Sequence, residues 1–265
     1  MVETLNKDLE TLYITEESTP RPEVNPSYPR LYGHPLCPFV EKVRMALAAR
    51  NVEYQRVHFD LDKKTPWHLG INGGLIPIWE LPDGTLINES KILMDYVEDA
   101  YPTQGYSMLP ADPVVRARMR LGFAVSDAAW MSQFPLYYSK KTTEEEAKPI
   151  KEKIQKIEDF LAANGKEGSP YALGTENPTQ LDVHIYTNFV RFEMMENSAF
   201  QEIFDHLKIN DYPLLKKLTA AIRARPEFKG GVLCSTKGQH LYLARSAEKP
   251  VGVKAQLFLP IDNDE

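Results

Sequence analysis

The chain has 265 residues, is 43% hydrophobic and 26% charged, and carries a formal net charge of -6. That length supplies one large domain or two ordinary ones with a real core, and an acidic balance argues against general nucleic-acid binding, which needs a basic footprint. No apolar run approaches the roughly 18–20 residues of a membrane span, so stable membrane insertion is not expected. The polar, acidic first residues do not resemble a secretory leader. With Cys37 and Cys234 as the cysteines, there is neither a disulfide framework nor a zinc-ligand spacing, and no metal is expected. A reducing, cytoplasmic setting follows.

Residues 1–29 hold Pro20, Pro22, Pro26 and Pro29 among acidic and polar neighbours and read as an extended or poorly ordered lead-in. From residue 30 the pattern turns to strand, helix, strand. Arg30 to His34 is a short strand, and Pro38 opens a helix that runs to Arg50. Phe39, Val43, Ala46 and Leu47 mark one face of that helix, with Glu41, Lys42 and Arg44 on the other. Asn51 is its stop signal. Glu53 to Phe59 reads as a second strand, and a short irregular helix follows around Lys63–Leu69. Leu75 to Leu81, the turn Pro82-Asp83-Gly84 and Thr85 to Ile87 form a hairpin. Asn88-Glu89-Ser90 opens a helix with Ile92, Leu93, Tyr96, Val97 and Ala100 facing inward, ending before Pro102. Residues 30–101 thus make one small α/β domain.

Residues 102–111 form a linker with turn chemistry. From residue 112 to 246 the pattern is helical. Asp112 to Tyr138 is helical, and Ile150, Ile154, Ile157, Phe160 and Leu161 keep the helical spacing up to Gly165. Thr179 and Asp182 make a capping box ahead of a helix that is apolar nearly all round and belongs in the middle of a bundle. Residues 211–225 and 236–246 are further helices. The extension 247–265 has no regular period.

Three features of the first domain need one another. Cys37 stands at or just before the helix N-cap with Pro38 at the first helical position, facing the positive end of the helix dipole, which favours a thiolate. The third residue on is Val40, so there is no Cys-x-x-Cys partner. Ile76-Pro77 stands at the edge of a hairpin strand and is a candidate cis bond, with main-chain groups an extended peptide can pair with. Glu89-Ser90 lies at a helix start, where N–H groups favour an anion and the Glu89 carboxylate favours an ammonium. Together they describe a slot for a small peptide with a free amino-acid head and a sulfur near Cys37. Glutathione fits that description.

On these residues, the chain resembles the cytosolic glutathione transferases: residues 30–101 their thioredoxin-like domain and 112–246 their all-helical domain. Cys37-Pro38-Phe39, Ile76-Pro77 and Glu89-Ser90, with proline-bearing N-terminal and further C-terminal extensions, resemble the omega class. The resemblance implies that Cys37 forms a mixed disulfide with glutathione, the co-substrate. It also implies that Ile76 and Pro77 bind the cysteinyl backbone, that Glu89 and Ser90 hold the γ-glutamyl end, and that Phe39 walls the thiol. Lys64 matches a lysine that contacts the ligand, with Lys63 adjacent. Arg191 and Tyr242 align with positions near the second substrate's site, although residues 236–242 lack the tryptophan expected there. The family further implies thiol exchange with a second glutathione as resolving thiol, substrates such as dehydroascorbate, monomethylarsonate and phenacyl-glutathiones, weak conjugation activity, and a homodimer.

Two other readings share the fold. Intracellular chloride channel-like proteins carry a Cys-Pro-Phe motif but lack the Glu-Ser pair, so Glu89-Ser90 favours the enzyme; a binding-only relative is the other. A lone histidine such as His34 reads as a strand-end residue rather than a metal ligand, and Cys234 as an ordinary buried or semi-exposed thiol.

Overall fold

The computed structural model describes residues 9–259 and 261. The chain divides into two compact units, and the division does not follow the sequence order. One unit takes the chain through Ser107 together with Pro226–Gly238 and the stretch from Gln256 on; the other takes Met108–Arg225 and Gln239–Ala255.

The first unit is built on a five-stranded mixed sheet. Its strands are β1 (Leu12–Ile14), β2 (Arg30–Gly33), β3 (Gln55–Phe59), β4 (Ile78–Glu80) and β5 (Leu86–Asn88), in the order β1-β3-β2-β4-β5. β3 runs parallel to β1 and β2, while β4 runs antiparallel to both β2 and β5. Helices α1 (Pro38–Ala49), α2 (Pro66–Asn72) and α3 (Ser90–Ala100) complete it. Alternation along the strands separates two faces. Tyr32, Val57, Phe59 and Ile78 form a core with Trp67 and Ile71 of α2, while α1 and α3 pack on each other. This is a thioredoxin-like layer.

Two expectations fail here. The lead-in is not loose: within its described residues, β1 pairs with β3 in parallel, Leu12 opposite Val57 and Ile14 opposite Phe59, and Ile14 is buried. Pairing covers an edge that would otherwise expose unpaired peptide groups. Side chains secure the rest of the segment. Arg21 reaches the buried Glu80 at 2.5 Å, and the Trp67 indole donates to the Thr19 carbonyl at 2.9 Å. Residues 1–8 of the same expectation lie outside the described residues.

In α3, Ile92 and Ala100 face solvent rather than the interior; the inner face is Leu93, Met94, Val97 and Glu98. Glu98 belongs there because Arg50, at the end of α1, and the Ser107 hydroxyl both bond its carboxylate. The sequence spacing counts apolar residues and cannot register a buried ion pair.

The second unit is all helical: α4 (Pro113–Met131), α5 (Phe134–Ser139), α6 (Glu144–Asn164), α7 (Gln180–Glu193), α8 (Gln201–Leu207), α9 (Pro213–Arg223) and most of α10 (Thr236–Glu248). The helical stretch expected over 112–138 forms two helices, interrupted at Ser132-Gln133. Pro135 lies in the first turn of α5 and has no N–H to continue the ladder back to Met131. Helix α8 carries too short an apolar pattern to read in advance. Both α6 and α7 open with capping boxes, Thr143 with Glu146 and Thr179 with Asp182. Asp182 also accepts the Ala172 N–H at 2.7 Å, tying the preceding loop to the start of α7.

Candidate active site

Strand register places the three sequence motifs at one end of the strands, and Ile76-Pro77 leads into an interior strand rather than an edge one, because β4 pairs with both β2 and β5. Tyr32 of β2 pairs with Ile78 of β4, and Ile78 pairs with Asn88 of β5. Past Tyr32 and Gly33 the chain turns through His34-Pro35-Leu36 to Cys37; just before Ile78 stand Ile76-Pro77; just after Asn88 come Glu89-Ser90. The last residues of β3 lie at the same end, because Gly33 pairs with His58, and the chain leaves it towards Lys64.

Cys37 is the N-cap of α1, with extended backbone at φ -71° and ψ 121°, Pro38 in the first turn, and no side-chain cap bond. The Cys37 carbonyl takes the Glu41 N–H at 2.9 Å and its own N–H goes to the His34 carbonyl at 3.1 Å. The thiol therefore stands at the positive end of α1, and residue 37 is 5% exposed. Phe39 is half-buried, with the Lys42 ammonium 5.0 Å from its ring centre.

His34 closes the turn before Cys37. The Leu36 N–H donates to its Nδ1 at 3.1 Å, so the other nitrogen carries the proton and donates to the Phe258 carbonyl at 2.9 Å. Burial pushes its pKa down to about 4, so the ring is neutral at pH 7. It is a structural residue, and the C-terminal stretch it holds, with Leu61 N–H bonding the Leu257 carbonyl at 2.8 Å, is part of the same unit. Among the described residues, no group of three or more His, Cys, Asp or Glu is placed to hold a metal.

The Ile76–Pro77 peptide is cis. Glu89 is exposed and is the N-cap of α3 at φ 71°, a left-handed conformation uncommon outside glycine. Ser90 is the first residue of α3 and is buried. Lys64 is half-buried and folds over Gly74: a Cβ at Gly74 would meet Lys64 Cδ at 2.7 Å and Nζ at 3.1 Å. That contact explains why position 74, at φ +72°, is glycine, and it puts the ammonium two residues from Ile76.

Arg191 and Tyr242 belong to the helical unit, and both are buried. Arg191 donates to the Thr187 carbonyl one turn back at 2.6 Å, near the C-terminal end of α7. The Tyr242 hydroxyl donates to the Ala255 carbonyl at 3.2 Å, and burial pushes its pKa up. Sequence reasoning passed over His68, at the middle of α2, because no motif marks a histidine inside a short helix.

A family model described as "Glutathione S-transferase, N-terminal domain" matches residues 36–100. Glutathione S-transferase omega-1 of Sus scrofa is 29% identical over 202 residues, covering 74% of this chain and 77% of its own. Glutathione S-transferase omega-2 of Homo sapiens is 34% identical over 93 residues, 35% of this chain and 37% of its own. Among solved structures, glutathione transferase Omega 1C from Trametes versicolor matches with a TM-score of 0.66 at 19% identity, over 83% of this chain and 97% of that one, a likeness of fold. The chain is thus similar to glutathione transferases: by the family model over residues 36–100, and by omega-class relatives over up to about three quarters of its length.

Proposed function

We propose that the protein is a glutathione-dependent thiol transferase and reductase, acting through a mixed disulfide between Cys37 and glutathione. The observation that supports this reading is the shared end of the strands, where a helix-capping thiol, the main chain at Ile76-Pro77 ahead of β4 and the Glu89-Ser90 helix start lie together. Glutathione has one group for each. Its γ-glutamyl carboxylate suits the N–H groups and hydroxyl at Ser90, its ammonium suits Glu89, its cysteinyl main chain suits Ile76, and its sulfur meets Cys37. Lys64 suits the second carboxylate, and Phe39 walls the sulfur.

The chemistry needs one protein thiol. The Cys37 thiolate attacks the glutathionyl sulfur of a mixed disulfide; a Cys37–glutathione disulfide forms and the other sulfur leaves as a thiolate. A second glutathione thiolate then attacks the glutathionyl sulfur of that adduct, releasing oxidised glutathione and the Cys37 thiolate. Dehydroascorbate, monomethylarsonate and phenacyl-glutathiones are the substrates assigned by resemblance, in a detoxifying role in the cytoplasm, with conjugation a minor activity. Arg191 and Tyr242 are assigned to the second substrate on the same ground. The assembly is proposed to be a homodimer. No described helix is long and apolar enough to cross a membrane.

The test is a kinetic panel of dehydroascorbate, hydroxyethyl disulfide and chlorodinitrobenzene with and without Cys37→Ala. Turnover of the first two should exceed the third and fall about a hundredfold or more in the variant. Near-normal rates in Cys37→Ala would sink the assignment, and lipid insertion without turnover would favour the channel-like reading. Both cysteines are buried, so the discriminator is the helix start: iodoacetamide at neutral pH should modify Cys37, the N-cap of α1, ahead of Cys234.

A further inference from the structure

Between α2 and β4 the chain passes Gly73, Gly74 and Leu75, and one side chain holds that passage from inside. His68 is 0% exposed, and its ring lies flat on Phe59, with centroids 4.0 Å apart and planes 7° from parallel. Its Nε2 is 3.0 Å from the Leu75 carbonyl oxygen. A carbonyl only accepts, so Nε2 carries the proton and donates. The residue's backbone is fixed as well: its N–H goes to Thr65 Oγ1 at 3.3 Å, and its carbonyl receives the Gly74 N–H at 3.3 Å. The imidazole has little room to move.

The Leu75 carbonyl and the Ile76 N–H are two ends of one planar peptide unit and point in opposite directions. A hydrogen bond that fixes the oxygen therefore fixes the direction of the N–H. It also polarises that N–H, because hydrogen bonds along a peptide strengthen one another. We propose that His68 is a positioning residue for glutathione, aiming the Ile76 N–H at the cysteinyl main chain of the tripeptide through the Leu75 carbonyl. The inference rests on the reading of Ile76 as the glutathione main-chain contact. His68 itself touches neither the ligand nor the reacting sulfur. Burial, and then the nearby Lys64 charge, push its pKa below the ordinary histidine value, so a neutral ring with one N–H is the form present at pH 7.

Three versions of the full chain test this. His68→Phe keeps the stack on Phe59 and removes the donor, while His68→Gln places an amide N–H near the old Nε2 position. Titration calorimetry with S-methylglutathione, which cannot enter disulfide exchange, reads the binding. The dissociation constant should rise about tenfold in His68→Phe and stay within about threefold of wild type in His68→Gln. At saturating glutathione kcat should hold within about twofold in both, so that the loss falls on KM. The amide resonance of Ile76 should shift in His68→Phe and return towards its wild-type position in His68→Gln. Should His68→Phe fail to fold, His68→Asn replaces it, since its shorter amide cannot reach the Leu75 carbonyl. Wild-type protein that binds no S-methylglutathione overturns the functional reading and this inference together. Wild-type binding that His68→Phe retains within about twofold, or an equal loss in His68→Gln and His68→Phe with the Ile76 resonance unmoved, overturns the inference alone.

Discussion

Helices α1 and α7 are each buried along nearly their whole length, and they reach that state by opposite routes. In α7 every residue from Gln180 to Phe192 is buried, and the run Leu181, Val183, Ile185, Tyr186, Phe189, Val190 and Phe192 announces it in the sequence. In α1 the residues from Val40 to Ala49 are buried too, yet they include Glu41, Lys42 and Arg44, the side that spacing sets apart as polar. Two of those charges, Glu41 and Arg44, have partners far along the chain. Glu41 accepts the Cys234 N–H at 2.8 Å, and Arg44 donates to the Val232 carbonyl at 2.9 Å and the Pro35 carbonyl at 2.8 Å. Burying a charge is tolerable only with such partners. The hydrophobic helix is held by volume and the charged one by pairing, so the two should fail differently.

Arg44→Leu should show that most strongly. Leucine fills much of the space but leaves Glu41 without its buried counter-charge and two carbonyls without a donor, so a loss of about 3–5 kcal/mol is expected in chemical denaturation. In α7, Ile185→Val should cost only about 1 kcal/mol, because volume alone changes. Equal losses would erase the distinction.

The second effect is on pH. His34, beside the start of α1, has a pKa of about 4 in the folded protein against 6.5 for an ordinary histidine. As pH falls, the unfolded chain takes the proton first. The His34 contribution is therefore intact above pH 6.5 and is lost between there and about 4, by up to roughly 3 kcal/mol. Asp182 of α7 works the other way: burial raises its pKa despite the bonds from Thr179 and Ala172, so its protonation stabilises the folded form as pH falls. His34→Gln should flatten the acid loss and Asp182→Asn should steepen it; melting curves from pH 7 to pH 4 read both.

The two capping boxes give the smallest effects. The Asp182 carboxylate accepts from the Thr179 N–H, the Thr179 hydroxyl and the Ala172 N–H, all buried, so Asp182→Ala should cost about 2 kcal/mol or more. The equivalent box at α6 is exposed, Thr143 with Glu146, and Thr143→Ala should cost about 1 kcal/mol.

Legibility follows the same division. Cys37 at the start of α1, the proline ahead of a hairpin strand, Glu89-Ser90 at the start of α3 and the box of Thr179 with Asp182 involve residues near one another in the chain, and each could be read there. β1 could not, because three residues make a strand only when β3 offers them an edge. Nor could the inward Glu98 of α3, whose partner Arg50 is 48 residues away. His68 carries no motif, since its meaning lies in a carbonyl seven residues on across a glycine turn.

By itself the amino-acid order determined where helices start, which residue is the thiol, and that a helical unit follows an α/β layer, since caps, turns and apolar period act over a few residues. Tertiary structure decided the rest: that the charges of α1 go inside, that part of the lead-in becomes a strand, and that one end of the strands gathers Cys37, Ile76 and Ser90. The bond from Cys234 to Glu41 spans 193 residues. A partner that distant leaves no mark in the local pattern, because only the folded chain brings the two groups within reach of each other.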